Sequence, residues 1–371
     1  MQGLSLTSFY VIDNNRTVKP VFTFQGVGTR QVAKDKTRIV TLLDVAAKAG
    51  VSSMTVSKVM RGVGNISKAT QQRVRCAADE LGYLPNNLAG SLSSRKSRMV
   101  AVIIPSMSDI VFSEVLSGVN AILRPNGLHT FIGESHFDPG IEADLVREML
   151  SFRPAGLLLN GGMARSAACD KLLERRTCPA IQMWDCDNED LDFSAGPSHM
   201  EAGQLVAAHF LERRLRRVAY VGAELEKDLC ARWRYLALRS TLASANIDVI
   251  SMVCENRPRQ AETGRALTQE LIRDHPEIQA IHFLNDAMAL GGLSYLHEAG
   301  IPVPEQVSVV GFNGTSIPNT VRTRLTTVDV PRAEIGKTAA RALLNILAHV
   351  HVNRSWRAEI QLIQGNTTTK R

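Results

Sequence analysis

No stretch of this 371-residue chain approaches eighteen consecutive apolar residues, the length that marks a membrane-spanning helix. No membrane partner is expected. The first thirty residues have no unbroken apolar core before a small-residue cleavage site, and Asp13 lies among scattered polar residues. A secretory leader is therefore not expected, and a soluble cytoplasmic protein is. Aromatic residues are scarce, at 5%. The six cysteines, at positions 76, 169, 178, 186, 230 and 254, form no CxxC pair and have no paired histidines nearby. A structural zinc site needs four converging ligands, usually in close pairs, so no metal is expected. Reduced, mostly structural thiols suit the cytosol. There is no GxSxG or HExxH run, and the nine histidines are scattered, which removes two common hydrolytic designs. Gly336-Lys337-Thr338 resembles the end of a phosphate loop, but Pro331 stands where the first glycine is required, and the segment has helical periodicity. No catalytic residue or cofactor is expected. What the chain does have is 44% apolar residues, enough for a sizeable core and inconsistent with a disordered, collagen-like or coiled-coil protein.

Charge is unevenly spread. Residues 1–98 carry 15 Lys or Arg against 5 Asp or Glu, a net of +10, while the remaining 273 residues carry a net of −3. A basic first quarter attached to a near-neutral bulk suggests a polyanion-binding module joined to something that binds elsewhere; the alternative is a solvated basic tail.

Residues 1–39 show little pattern, with Pro20, Gly26 and Gly28 interrupting short apolar runs, and are expected to be a poorly ordered tail. From Val40 the texture becomes helical. Leu42, Val45, Ala46 and Ala49 lie at i, i+3, i+4 and i+7, and Gly50 follows as a stop. Ser52 can cap a second helix from about Ser53 to Arg61, with Val56, Val59 and Met60 facing in. Ser67 caps a third helix carrying Val74, Ala77, Ala78 and Leu81, ended by Gly82 and Pro85. Two short helices joined by a Gly-containing turn describe a helix-turn-helix. Its second helix then presents Ser53, Met54, Ser57 and Lys58 outward. In a major groove, Met54 can meet a thymine methyl, and Lys58 can donate to guanine or phosphate. Ser52, Thr55 and the helix N-terminus suit phosphate oxygens. A plain helical bundle with a solvated face is the alternative.

After Met99 strands and helices alternate. Apolar runs recur at Met99–Ile104, Gly156–Leu159, Ala180–Trp184, Val218–Val221, Ile278–Leu284 and Val307–Phe312, with helical periods between them such as Phe112, Val115, Leu116, Val119, Ile122 and Leu123. This pattern predicts an α/β fold of parallel sheets covered on both faces, and about 270 residues suit two subdomains.

The run VTLLDVAAKAGVSSMTVSKVMRG, residues 40–62, with NISKATQQRVRCAADELGYLPN, residues 65–86, resembles the headpiece of the LacI/GalR family of bacterial transcription regulators. The resemblance implies that Thr41, Ser52, Thr55, Ser57, Asn65, Ser67, Thr70, Tyr83 and Asn86 position the DNA backbone, and that Ser53, Met54 and Lys58 read bases. Ser53-Met54 departs from a Tyr-Gln pair found elsewhere in the family. Residues 86–98, NNLAGSLSSRKSR, fall at the family's hinge, where Ala89 and Leu92 would lie on a short helix with Leu92 as a minor-groove wedge. Arg95, Lys96 and Arg98 would add phosphate attraction. A helix of about seven residues is too short to stand alone, and Gly90 in its middle costs about another 1 kcal/mol. Ordering with a dimer mate on DNA would suit such a segment; a flexible linker is the alternative.

The resemblance continues through MVAVIIPSMSDIVFSEVLSGV (99–119), HFLNDAMALGGLSYLHEAGIPVPEQVSVVGFNG (282–314) and TRLTTVDVPRAEIGKTAARALL (323–344). It implies a periplasmic-binding-protein-like core over residues 99–365, two lobes joined by three chain crossings, followed by a short tail at 366–371. A small-molecule effector would lie between the lobes and the chain would form a homodimer on double-stranded operator DNA. Matched positions make Asp109, Phe112, Trp184, Arg234, Asn285 and Asn313 the ligand candidates. Asp109 is equally suited to capping a helix, Trp184 to a core and Asn285 to a turn. Sugar-binding relatives often have an acid at the position of Asn313. An amide there spares an anionic ligand repulsion, and Arg234 suggests a bidentate carboxylate clamp. The MTVS run at 54–57 and PSMSDIVFSEVLSGV resemble the gluconate-utilisation branch of the family, so gluconate or a related sugar acid is the expected effector. Ala237 stands where a glycine is common. The rival classes are an α/β enzyme and an extracytoplasmic sugar-binding protein sharing the sensing fold.

Overall fold

The computed structural model describes residues 9–12, 18–21, 39–84, 97–187, 191–315 and 323–369. The chain divides into two compact units, Met1–Gly90 and Ser91–Arg371.

In the first unit, strands β1 (Phe9–Ile12) and β2 (Val18–Val21) pair antiparallel, Phe9 opposite Val21. The expected patternless tail thus holds a hairpin-like pair. Three helices follow: α1 (Leu42–Ala49), α2 (Ser53–Arg61) and α3 (Lys68–Leu81). Helices of eight and nine residues are marginal alone. Their stability comes from Val45, Val56 and Val74, each fully buried in one cluster and each contributing about 1.5–3 kcal/mol. Lys48 on α1 pairs with Glu80 on α3 at 2.6 Å. Between α1 and α2, Gly50 takes φ 64, and its N–H closes α1 on the Ala46 and Ala47 carbonyls. That left-handed position turns the chain sharply enough to bring α2 across α1.

The second unit holds two six-stranded sheets. The first lobe contains β3 (Met99–Ile104), β4 (His129–Glu134), β5 (Gly156–Asn160), β6 (Ala180–Met183), β7 (Phe193–Gly196) and β13 (Ser355–Arg357), in the order β13-β7-β6-β5-β3-β4, all parallel. Along β3, Val100, Val102 and Ile104 join the core under one face, and Ala101 and Ile103 that under the other. Two buried faces explain the unbroken apolar run. The second lobe contains β8 (Val218–Ala223), β9 (Val249–Cys254), β10 (Ala280–Phe283), β11 (Ser308–Asn313), β12 (Thr326–Asp329) and β14 (Gln361–Ile363), in the order β14-β12-β11-β10-β8-β9, with β14 antiparallel to β12. Strands β6 and β10 are shorter than their apolar runs, and β6 stops before Trp184 because that residue takes φ 73.

Three connections pass between lobes: from β7 into α7 (His199–Glu212), from β12 into α11 (Arg332–Leu347), and from β13 to β14. Helix α11 packs on α4 (Ile110–Leu123) at backbone contact. A Cβ on Gly118 would come 2.0 Å from the Ala333 oxygen, and one on Gly336 2.0 Å from the Val115 oxygen. Gly336 of the GKT run is therefore a helix-crossing residue inside α11. Residues 366–369, expected to begin a tail, pack into the second lobe. Val309 N–H donates to the Thr367 carbonyl at 2.7 Å, Thr367 Oγ1 donates to the Val309 carbonyl at 2.7 Å, and Thr368 Oγ1 meets His209 Nε2 at 3.0 Å. The Thr367 hydroxyl is satisfied by the Val309 carbonyl and that of Thr368 by His209 and Thr326, which lets two polar residues finish the core. The sequence pattern, which weighs only apolar periodicity, has no means of registering it. No helix among the described residues is long and apolar enough to cross a membrane.

Candidate functional site

Each helix of the small unit starts on a hydroxyl. Thr41 Oγ1 accepts from Asp44 N–H while the Asp44 carboxylate accepts from Thr41 N–H at 2.8 Å, a reciprocal capping box. Ser52 Oγ accepts from Thr55 N–H and touches Thr55 Oγ1 at 2.9 Å; Ser67 and Thr70 repeat the pattern. These five hydroxyls mark positively polarised helix ends. On α2, Val56 and Val59 are buried, Met54 is 66% exposed and Lys58 is exposed, while Ser53 and Ser57 are half-buried. Asn65 is exposed and Tyr83 packs half-buried against the helical core. Asn86, Ala89 and Leu92 lie outside the described residues.

In the large unit a cleft of about 580 Å³ opens between the lobes at the C-terminal ends of the strands, where parallel sheets present their loops. Ser106, Ser108, Asp109, His136 and Phe137 line it from the first lobe, and Glu224, Arg259, Asn285, Asp286 and Asn313 from the second. Beneath it lies a pocket of about 20 Å³, room for roughly one water. All six ligand candidates from the sequence line that inner pocket.

Their individual geometry differs from expectation in places. Asp109 caps α4, accepting from Val111 N–H at 2.9 Å, and burial pushes its carboxyl above the ordinary range. Asn285 caps α10 (Asp286–Glu298) through Met288 N–H at 2.9 Å and donates to the Arg259 carbonyl at 3.1 Å. Both residues thus shape the wall by fixing helix starts. Phe112 meets Trp184 edge-on with centroids 6.2 Å apart. Trp184, at φ 73, and Asn313, at φ 114, hold left-handed backbones that bulky or β-like residues avoid. Such strain gathers at ligand clamps. Trp233 is half-buried and is not among the lining residues.

Arg234, on α8 (Leu229–Ala243), is 3% exposed. Its Nη1 donates to His199 Nδ1 at 2.8 Å and its Nη2 to the Leu284 carbonyl at 3.1 Å, while the guanidinium stacks 3.7 Å over Phe312. His199 Nε2 meets the Trp184 carbonyl at 2.7 Å, so the ring is neutral with its proton on Nε2. Burial, then the Arg234 charge, pushes its pKa down to about 3. The expected bidentate clamp is corrected on this ground: both terminal nitrogens of Arg234 are occupied by protein, and only Nε lacks a partner. Ala237 faces Gly203, whose Cβ would lie 2.9 Å from its own. The close approach of α7 and α8 survives because the glycine sits on α7 instead.

Arg259 carries no signature in the sequence, and periodicity has nothing to say about the polar run ENRPRQ. Its position just after a strand's C-terminal end was the available signal. Its guanidinium stacks 3.5 Å over Phe137 of the opposite lobe, pairs with Asp228, and reaches Glu224 at 3.4 Å. Burial alone would raise the Asp228 carboxyl, but the charges of Arg259 and Arg234 outweigh it and hold the pKa below the ordinary value. Arg332, at the start of α11, donates to Glu114 of α4 at 2.7 Å and to the Asn313 and Gly314 carbonyls. The cleft end of β11 is thereby tied to the first lobe. No cluster able to hold a metal occurs among the described residues.

Comparison with known proteins gives a match for each of the two units. Residues 41–86 match the family model for bacterial regulatory proteins of the lacI family, and residues 207–368 match that for a periplasmic binding protein-like domain. Over 85% of its length, and 91% of the relative's, the chain is 36% identical to the HTH-type transcriptional regulator GntR of Pseudomonas aeruginosa. The chain belongs to the LacI family. A LacI-family transcriptional regulator from Silicibacter pomeroyi superposes with a TM-score of 0.84 at 35% identity, covering 88% of this chain and 99% of that one. The lac repressor dimer bound to operator and the anti-inducer ONPF gives a TM-score of 0.75 at 25% identity, covering 90% and 100%. This LacI-family regulator therefore pairs a helix-turn-helix DNA-binding head with a two-lobed α/β sensing core.

Proposed function

We propose that this regulator is a homodimeric cytoplasmic repressor with no catalytic role. Residues 40–85 read a pseudo-palindromic operator, 86–98 serve as the hinge, and a gluconate-like sugar acid in the interlobe cleft controls DNA binding. The dimeric arrangement on operator follows the lac repressor relative, and half-site spacing is then set by the dimer axis. Control requires that the effector bind the DNA-competent and incompetent states with different affinity; coupling of about 1–3 kcal/mol is enough. The observation that carries the sugar-acid reading is the pairing of buried Arg234 with an uncharged Asn313 in one pocket. At position 313 an amide stands where an acid would repel an anionic ligand. The resemblance to the gluconate-utilisation branch agrees.

On the DNA side, Lys58→Ala is expected to weaken binding and to lower the salt dependence by about one released ion if Lys58 meets phosphate. Met54→Ala is expected to cost about 1–3 kcal/mol of preference at a single base pair. Gel-shift titrations on a randomised operator library check both; unchanged preference in the Met54 variant removes it from the readout. On the ligand side, the reading is tested by following intrinsic tryptophan fluorescence, to which Trp184 in the inner pocket contributes, during titration with neutral sugars, sugar acids and sugar phosphates. A saturable response to sugar acids is expected. A response confined to neutral sugars or phosphates overturns the effector class and leaves the regulator standing.

A further inference from the structure

The N-terminal ends of the parallel strands in the first lobe carry a row of exposed arginines. Arg98 immediately precedes β3, Arg124 lies in the turn into β4, Arg153 in the turn into β5 and Arg175 in the turn into β6, and Arg354 immediately precedes β13. Parallel pairing puts all of these turns at one end of the sheet. From β13 to β4 that end runs through five inter-strand spacings, about 24 Å. None of the five guanidinium groups has an ion-pair partner among the described residues. Against them stand Glu148 and Glu174, in the last turns of α5 (Pro139–Ser151) and α6 (Ala167–Glu174), and Asp192, which is taken by Arg176 at 2.9 Å.

The other end of the same sheet has the opposite character. Asp109, Glu134, Asp138, Asp185 and Asp187 lie at or after its strand ends, and Arg165 and Arg357 there are paired with Glu142 and Glu201. Helix dipoles account for Arg124 and Arg175, the C-caps of α4 and α6. They do not account for Arg98 and Arg354, which lead into strands and sit at no helix end. Residues 99–371 as a whole carry a net of −3, so the cationic end of the first lobe is a segregation of charge and not a share of the average. The chain enters the core from its DNA-binding unit at this same end. Met99 opens β3, and the twelve residues between Leu84 and Ser97 can span at most about 45 Å. DNA held by the head is thus tethered to the cationic end of the lobe and not to the acidic one.

We propose that the first lobe of the sensing core is itself a DNA-contacting surface, on which Arg98, Arg124, Arg153, Arg175 and Arg354 meet phosphates of the duplex that the helix-turn-helix reads. This rests on operator binding by residues 40–85 and adds to it a second, sequence-blind surface. A row about 24 Å long faces about seven base pairs of duplex. Exposed guanidinium groups suit phosphate oxygens through their paired N–H donors. Phosphate contacts fix position without reporting sequence, so the row adds affinity and leaves base preference to the head. Its contribution falls as salt rises, because each phosphate it meets releases a condensed counterion.

The test uses the full-length protein, without added effector, on the duplex selected from the randomised operator library and on a random-sequence duplex of equal length. Binding is titrated across a range of salt concentrations. The variant Arg124→Gln/Arg153→Gln/Arg175→Gln/Arg354→Gln is expected to bind the operator about 10- to 100-fold more weakly at about 0.1 M salt, and to make the slope of log affinity against log salt shallower by about 2. Its base preference and unfolding midpoint are expected to match wild type, since the four side chains are exposed and read no base. A control, Arg214→Gln/Arg216→Gln/Arg232→Gln/Arg239→Gln, removes the same charge from exposed positions of the second lobe and is expected to leave the slope unchanged. An unchanged slope in the first-lobe variant overturns the proposal. So does an equal loss in both variants, which would make net charge and not the row the cause. A changed base preference in the first-lobe variant would place the effect in the head and overturn it as well. Wild type that does not distinguish the two duplexes overturns the operator reading on which the proposal rests.

Discussion

Moving the regulator from pH 7 to pH 5 is expected to lower the unfolding free energy of its sensing core by about 4 kcal/mol. Three buried histidines cause this. His199 and His282 are pushed down to about 3, by burial first and the Arg234 charge second, and His209 to about 4, by burial and Arg213. A histidine with a folded pKa below its unfolded value of 6.5 takes up a proton on unfolding, so its contribution is lost as pH falls below 6.5. At pH 5 each has cost about 2 kcal/mol, at about 1.4 kcal/mol per pH unit. Asp286 acts the other way. Burial raises its pKa to about 6, despite hydrogen bonds from Thr315 and Thr327. The folded state thus gains its proton first, and between pH 6 and 5 this returns about 1.4 kcal/mol. Urea unfolding at several pH values, followed by Trp184 fluorescence, reads the slope. His282 Nδ1 meets the Val310 carbonyl and its ring lies against Tyr220, so His282→Gln should remove about one third of the histidine contribution. A profile flat between pH 7 and 5 would mean that these rings are solvated in the native protein.

Where the chain was legible, local physics and tertiary context agreed. Ser52, Ser67 and Gly50 announce helix ends on their own, and Val45, Val56 and Val74 fall on one face by periodicity alone. Fully buried strands such as Gly156–Asn160 read as apolar runs because both faces are covered. Strands such as His129–Glu134, largely exposed, and Thr326–Asp329, buried through threonine hydroxyls, leave no such trace. The site divides along the same line. Arg234 was marked by its matched position, but that its terminal nitrogens are taken by His199 and Leu284 depends on contacts 35 and 50 residues away. Arg259 was not legible, because its meaning comes from Phe137 and Asp228, which only folding brings to it.

Asp228→Ala is expected to destabilise the sensing core by about 3–5 kcal/mol, the range for breaking a buried ion pair from one side. The carboxylate does two jobs. Its Oδ1 accepts from Ala231 N–H at 3.0 Å and so caps α8, the helix that carries Arg234. Its Oδ2 pairs with Arg259. Loss of the cap accounts for about 1 kcal/mol, and the remainder is the cost of two buried guanidinium groups deprived of the Asp228 charge, Glu224 at 3.4 Å being left to Arg259 alone. The double variant Asp228→Ala/Arg259→Gln separates the two contributions. It should be more stable than Asp228→Ala alone, because one of the two guanidinium charges that Asp228 offsets is gone, leaving the missing cap and Arg234. An added anion makes the same argument from outside. If the carboxylate of a bound sugar acid sits beside Arg259, gluconate should raise the midpoint of Asp228→Ala more than that of wild type, since there it restores a negative charge that wild type already has in Asp228. Equal stabilisation of both proteins would place the bound carboxylate away from Arg259, and a loss below about 1 kcal/mol in Asp228→Ala would show the arginines to be hydrated rather than held by Asp228.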